Sequence, residues 1–519
     1  MSGANRSRRR IHIALALMAA GAVTFGAIAD SVAQRGGSGG GGSRAGNFGG
    51  GFANGGRMPG GDGPRSPGGG YPGGPRFPGG GGGVIMLPPG GYGPGPGTVV
   101  VVDDDDPAHL RRQKKAAKKQ KPQKQHTQMA GRGGFNVPPA GERRFVPDEV
   151  LLKISMAASP RAVDDIARRY RLTRLDMQDF ALTRHRLARL RIDDGRSAGT
   201  VIRSLQADAR VLGAQPNYLY VIQQGAAAAA APDPAQYFLT KLRLPEAHAL
   251  AKGERVLVAV VDTPIDAAHP DLAGVIEASF DATGTADKPH AHGTGIASVI
   301  AAHGKLTGAA PGVRILAAHA FKSAASSGTG TSLDILKGLD WAGKSKANVV
   351  NMSFAGPADA ELQAMLKALR ANGAILIAAV GNAGPKSPPL YPAADPNVIA
   401  VTATDIEDKP FARANRGTHI AVAAPGVNIL AAAPDGGYQM PSGTSFAAAQ
   451  ISGIAALLLE RNPTLDAASI RRILMGTARD LGPPGHDEQF GSGLADALAA
   501  VNAAAPKSSD ASAAAAPAN

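Results

Sequence analysis

Hydrophobic and polar positions keep two different rhythms along this chain, and the change of rhythm divides it. Between residues 143 and 223, short apolar runs alternate with stretches of helical spacing. Val150, Leu151, Leu152 and Ile154 predict a strand over residues 149–154, and Val163, Ile166 and Ala167 predict a helix over residues 162–170. Loose alternation of Leu187, Leu190 and Ile192 predicts a strand over residues 186–192. Residues 198–207 read as a second helix and residues 218–222 as a last strand. The sum is a small α+β unit of about 80 residues, within the ordinary size of a domain. An alanine run and Pro232-Asp233-Pro234 then make residues 224–235 a linker.

From residue 236 to residue 502 the pattern turns regular. Apolar runs at residues 256–261, 314–318, 348–352, 374–379, 398–401 and 419–422 predict strands. Residues 292–302, 332–342 and 360–371, and a long stretch from Thr444, predict helices. Near-continuous apolar strands alternating with helices predict an α/β fold: a doubly wound, mostly parallel sheet with helices on both faces. In such sheets functional side chains gather at strand carboxyl ends and helix N-termini.

Composition changes the picture mainly at the N-terminus. The 519 residues include 68 Gly and 39 Pro, crowded into the first part of the chain. Residues 34–142, Gly/Pro-rich and then Lys-rich, bury too little apolar surface to offset the entropy of ordering and are predicted to be disordered. The same holds for the Ala/Ser-rich tail at residues 503–519. Arg6-Ser7-Arg8-Arg9-Arg10 precedes an apolar run from Ile11 to about Ala29, and Ser31 and Ala33 follow in the spacing of a cleavage site. Residues 1–33 therefore read as a signal peptide, with an uncleaved anchor as the alternative. The expected location is secreted, periplasmic or at the cell surface. Net charge is +14, much of it in the Lys/Arg run at residues 111–119. No nucleic-acid-binding module surrounds that run, so no specific nucleic-acid partner is expected. It reads as a linker, or as a stretch that touches a cell surface. The absence of cysteine excludes disulfides, thiolate metal sites and a cysteine nucleophile.

Three segments place a reactive side chain at an element boundary. Asp262 closes a strand, His292 opens a helix, and Ser445 in Ser442-Gly443-Thr444-Ser445 sits where a helical pattern begins. Taken singly, each has an ordinary reading as a turn, cap or surface residue. Together they supply what acyl transfer by serine needs: a hydroxyl, a base, and a carboxylate that holds the imidazole tautomer. Val380-Gly381-Asn382-Ala383-Gly384 adds a side-chain amide on a Gly-flanked loop, a candidate donor to a developing oxyanion.

On these motifs, residues 236–502 resemble the subtilisin-like serine peptidases. The resemblance is carried by Val261-Asp262-Thr263 with His269-Pro270-Asp271-Leu272, by His292-Gly293-Thr294, and by Gly308-Ala309-Ala310-Pro311. It continues through Asn351-Met352-Ser353-Phe354, Gly381-Asn382 and Gly443-Thr444-Ser445. It implies a secreted serine endopeptidase acting on proteins or peptides through an acyl-enzyme. Ser445 would attack, His292 act as base and then acid, and Asp262 orient the imidazole. The Asn382 amide and the Ser445 N–H would hold the oxyanion. Ser353 and Ala355 would bond the substrate as an added strand. A first pocket built from Phe354, Ala355, Gly356, Ala379 and Gly381 carries no charge and implies an apolar residue before the scissile bond. Residues 143–223 resemble the propeptide of these enzymes, a folding chaperone and inhibitor of its own peptidase domain. That predicts self-cleavage between about residue 222 and residue 235.

Four positions depart from the family pattern. Pro264 follows Asp262-Thr263 where the family has glycine, and Ala449 stands where it usually has proline. Gly295 and Ser298 replace the usual His and Gly of the histidine motif. Pro264 and Ala449 motivate an alternative reading, a catalytically impaired subtilisin fold serving as a binding or surface-interaction protein. Asp271 matches one calcium ligand of the family, but residues 302–306 are too short for the usual ligand loop. No calcium is expected there, and no cofactor elsewhere.

Overall fold

The structure, a computed structural model, describes residues 134–224, 236–324 and 327–506. The expected signal peptide, most of the Gly/Pro-rich and basic region, nearly all of the linker and the end of the tail lie outside the described residues.

The first unit contains β1 (Phe145–Ile154), α1 (Pro160–Arg169), β2 (Leu172–Phe180), β3 (His185–Ile192), α2 (Ala198–Leu205) and β4 (Gly213–Ile222). The strands lie antiparallel in the order β2-β3-β1-β4. Ser159 and Ser197 cap the two helices, each accepting a first-turn amide. Successive residues of β1 face opposite ways. Val150, Leu152 and Ile154 pack under α1 and α2, whereas Leu151 joins the core of the larger domain. That two-sided burial is why β1 reads as an unbroken apolar run. Strand β2 has no such run because it is an outer, largely polar strand. The unit also starts earlier than the predicted boundary at residue 143. Asn136 N donates to Ala214 O at 2.8 Å, so residues 134–142 belong to the fold.

The larger domain begins with α3 (Tyr237–Lys241), α4 (Leu244–His248), β5 (Leu257–Asp262), β6 (Ile276–Asp281), α5 (Ala291–Ala301) and β7 (Arg314–His319). It continues with β8 (Lys322–Ala324), β9 (Ser327–Thr331), α6 (Ser332–Lys344), β10 (Val349–Met352), β11 (Phe354–Ala355), α7 (Ala360–Ala371) and β12 (Ile375–Ala379). The last elements are β13 (Ile399–Thr404), β14 (Ile420–Pro425), β15 (Ala431–Ala433), β16 (Gly437–Gln439), α8 (Thr444–Arg461), α9 (Ala467–Gly476) and α10 (Ala497–Ala503).

Seven strands form a wholly parallel sheet in the order β14-β13-β12-β10-β5-β7-β6. Its two faces are covered, as the apolar strands predict. Val258 and Val260 point into a core with Ile377, Val401, Phe446 and Ile454, and Ala259 and Val261 into one with Leu339, Met352 and Leu366. Helix α8 is buried from Thr444 to Leu458 and forms the centre of the first core. The chain runs to one side of β5 for β6 and β7, then crosses to β10 on the other side. This reversal is a switch point, where α/β sheets place their sites. Among the described residues no helix is long and apolar enough to cross a membrane.

Candidate active site

Beside the switch point, the ends of β5, β10 and β12 meet the starts of α5 and α8. Asp262, last in β5, is buried, and its Oδ1 accepts from the Thr263 amide at 2.7 Å and the Thr263 hydroxyl at 3.0 Å. The same oxygen lies 2.7 Å from His292 Nδ1, and His292 Nε2 lies 3.1 Å from Ser445 Oγ. All three side chains are excluded from solvent. Two contacts fix the start of α5: His292 N donates to His290 Nδ1, and Gly293 N to Thr263 Oγ1 at 2.9 Å. A buried polar chain fixes the start of α8. Ser452 Oγ donates to Asn351 Oδ1, Asn351 Nδ2 to Ser353 Oγ, and Ser353 Oγ to Ser445 O.

Asn382 follows β12. Its Oδ1 accepts from Thr444 N at 3.2 Å and Thr444 Oγ1 at 2.8 Å, which sets the amide orientation. Its Nδ2 is buried and has no partner. A buried donor left unpaired is costly and calls for an explanation. Gly443 lies beside it: a Cβ there would be 3.1 Å from Asn382 Nδ2 and 2.3 Å from the carbonyl oxygen of Gln223. The idle donor therefore borders the space that holds this carbonyl.

Gln223 belongs to the first unit, whose last strand occupies the cleft. Strand β4 pairs antiparallel with β11, Ile222 opposite Phe354 and Val221 opposite Ala355. On its other edge it pairs with β9, from Leu219 opposite Thr331 to Val221 opposite Thr329. Gln223 N donates to Ser353 O at 3.1 Å, and the Gln223 carbonyl oxygen lies 2.6 Å from Ser445 Oγ. The Gln223 side chain accepts from Asn382 N at 2.7 Å through Oε1. The residues expected to line the first pocket lie in three places. Asn382 adjoins the Gln223 end through its N–H, and next to it Gly381 N donates to Thr444 Oγ1 at 3.3 Å. Phe354 and Gly356 instead meet the ring of Tyr220, because alternation along β4 turns that side chain towards them. Ala379 is packed into the core against α8.

The first unit is also fastened along α7. Gln215 Nε2 donates to Asp359 Oδ1 at 2.8 Å, His185 Nε2 lies 3.0 Å from Glu361 Oε2, and Lys153 Nζ lies 3.2 Å from Glu361 Oε1. Burial alone would raise the Glu361 carboxyl, but the His185 hydrogen bond and the Lys153 charge outweigh it and hold it below its usual range.

The four departures are absorbed without disturbing these contacts. Pro264 turns its carbonyl to His290 N at 2.9 Å. Gly295 leaves room for Gln439, whose amide reaches Ala291 O and Ala432 O, and Ser298 Oγ bonds Gly295 O and Ala432 N. With Ala449 in place of proline, α8 runs unbroken. Asp271 Oδ1 accepts from Lys305 N at 2.5 Å, so the short turn is folded onto the carboxylate. Among the described residues no cluster of three or more His, Asp or Glu side chains is placed to hold a metal.

Gln223, Thr444 and Asp359 were not singled out in the sequence. Only the strand at residues 218–222 pointed towards the first; Thr444 and Asp359 look like ordinary helix-start residues.

A parallel α/β sheet with hydrogen-bonded Asp, His and Ser side chains beside its switch point is the arrangement expected of a serine hydrolase. Residues 253–493 match the model of the subtilase family. Subtilisin DY of Bacillus licheniformis is 37% identical over 259 residues, 48% of this chain and 92% of that protein. Subtilisin of Bacillus pumilus is 34% identical over 272 residues, 51% of this chain and 98% of that protein. Among solved structures, fervidolysin of Fervidobacterium pennivorans, described as a keratinolytic enzyme related to subtilisin, shares the fold. Its TM-score is 0.61 at 24% identity, covering 71% of this chain and 62% of that one. The chain belongs to the subtilase family. It is a serine-type endopeptidase acting on protein or peptide substrates.

Proposed function

We propose that Asp262, His292 and Ser445 are the catalytic triad of a secreted precursor that cuts itself between Gln223 and Gln224. Ser445 Oγ attacks the Gln223 carbonyl carbon while His292 Nε2 takes its proton. Asp262 holds His292 Nδ1–H and stabilises the imidazolium that forms. The Asn382 amide and the Ser445 N–H receive the oxyanion. His292 then returns its proton to the departing Gln224 nitrogen, and water hydrolyses the acyl-enzyme. Residues 134–223 act as propeptide: the strand that forms the substrate also plugs the cleft after cleavage. Secretion rests on the signal-like residues 1–33.

The observation that carries the reading is the Gln223 carbonyl, whose oxygen accepts from Ser445 Oγ at 2.6 Å on a strand bonded to both cleft edges. N-terminal sequencing of the purified full chain tests it. The expected result is a new terminus at Gln224 in the wild type and none in Ser445→Ala. Processing of Ser445→Ala at the wild-type rate, or a terminus elsewhere in the wild type, overturns the reading.

A further inference from the structure

We propose that the cleft selects tyrosine at the fourth residue before the scissile bond, by reading its hydroxyl group. The inference rests on Gln223 being the residue before the cut, which makes Tyr220 the fourth. Tyr220 is fully buried. Its ring meets Phe354 edge-on, with centroids 5.8 Å apart and planes at 85°. Gly356 makes the space: a Cβ there would lie 2.3 Å from Tyr220 Cδ1. So far this is a slot for any aromatic ring.

The far end of the slot is polar. The Tyr220 hydroxyl lies 3.2 Å from Pro357 O and 3.3 Å from Asp359 Oδ2. Asp359 is buried and rigidly held. Its Oδ1 accepts from Glu361 N and Leu362 N at the start of α7, and its Oδ2 from Ser332 Oγ. Asp359 is thus held by three bonds from the peptidase domain, to which Gln215 of the first unit adds a fourth. Burial raises both the Asp359 carboxyl and the Tyr220 phenol, as a dry pocket requires. Tyr218, earlier on the same strand, has a buried hydroxyl with no partner. Hydroxyl capture is thus a property of this pocket and not of tyrosines on β4 in general.

Phenylalanine would fill the same slot but leave the buried Pro357 carbonyl without the Tyr220 donor and Asp359 Oδ2 with Ser332 Oγ alone, both against a ring edge. A site built to pair a substrate hydroxyl rejects the analogue lacking it, because its own buried groups go unpaired. Smaller apolar residues would lose the ring contacts as well.

The test compares two peptides spanning residues 217–228, one with the native Tyr220 and one with phenylalanine there, cut by the processed wild-type enzyme. Tyrosine is expected to exceed phenylalanine in kcat/KM by about tenfold or more, the range for a hydrogen bond to a charged group. Asp359→Ser keeps a helix-capping oxygen but removes the carboxylate beside the hydroxyl and leaves the Pro357 carbonyl as its acceptor, so it should lower the ratio several-fold. Equal cutting of the two peptides by the wild type, or an unchanged ratio in Asp359→Ser, overturns this inference alone. Failure to cut either peptide overturns the processing reading beneath it.

Discussion

Asn382 offers the sharpest test of how the site treats charge. In the structure its Nδ2 is buried and idle even with the Gln223 carbonyl at Ser445, while its Oδ1 is fully engaged by Thr444. A donor unpaired in the ground state and poised for the oxyanion acts only in the transition state. Asn382→Ala should therefore lower kcat and leave KM within about threefold. Loss of such a donor in a subtilisin, a relative of this chain, costs about 3 kcal/mol, so a fall of about a hundredfold or more is expected. The assay is steady-state hydrolysis of the peptide spanning residues 217–228 by wild-type and variant enzyme matured by the same route. If KM rises while kcat holds, Asn382 binds substrate and does not stabilise charge. If neither changes, the oxyanion assignment is wrong.

Two further outcomes follow from local geometry. Gly443→Ala should abolish both self-processing and peptide hydrolysis, at least about a hundredfold, because the new Cβ falls 2.3 Å from the Gln223 oxygen. Its backbone is extended, at φ 163, so melting temperature should barely change. In the first unit, a hydrogen bond from Arg210 lowers the Asp208 carboxyl from 3.8 to about 2. A depressed carboxyl stabilises the fold above its ordinary value and loses that contribution as pH falls through the folded one. Asp208→Asn in the Ser445→Ala chain should thus melt earlier than its parent at pH 7, and the two should converge near about pH 2. A gap unchanged by pH would contradict the assignment.

Much of the candidate site was legible in the sequence because it lies at element boundaries. The apolar runs ending at Val261 and Ala379, and the helical patterns opening at His292 and Thr444, mark the strand ends and helix starts where such sheets gather functional side chains. The structure then brings the boundary residues within hydrogen-bonding distance. The shallow features were not legible. Strand β6 is largely polar, β11 has two residues, and β15 and β16 three each, too short for any periodicity. The start of the first unit was hidden because residues 134–142 are ordered by pairing with Ala214, not by a pattern of their own. The division of the cleft depends on which way Tyr220 and Gln223 turn, a property of strand pairing between distant segments. Gly295, Ser298 and Gln439 make the same point. Singly they look like losses, yet together they fasten the hairpin of β15 and β16 to α5.

The central claim is that Ser445 is a nucleophile activated by His292. Labelling of the processed protein with a fluorophosphonate, followed by peptide mapping, tests it most directly. A single adduct on Ser445, lost in Ser445→Ala and strongly slowed in His292→Ala, is the predicted result. A folded, processed protein that takes no label, or takes it on another serine, would contradict the account.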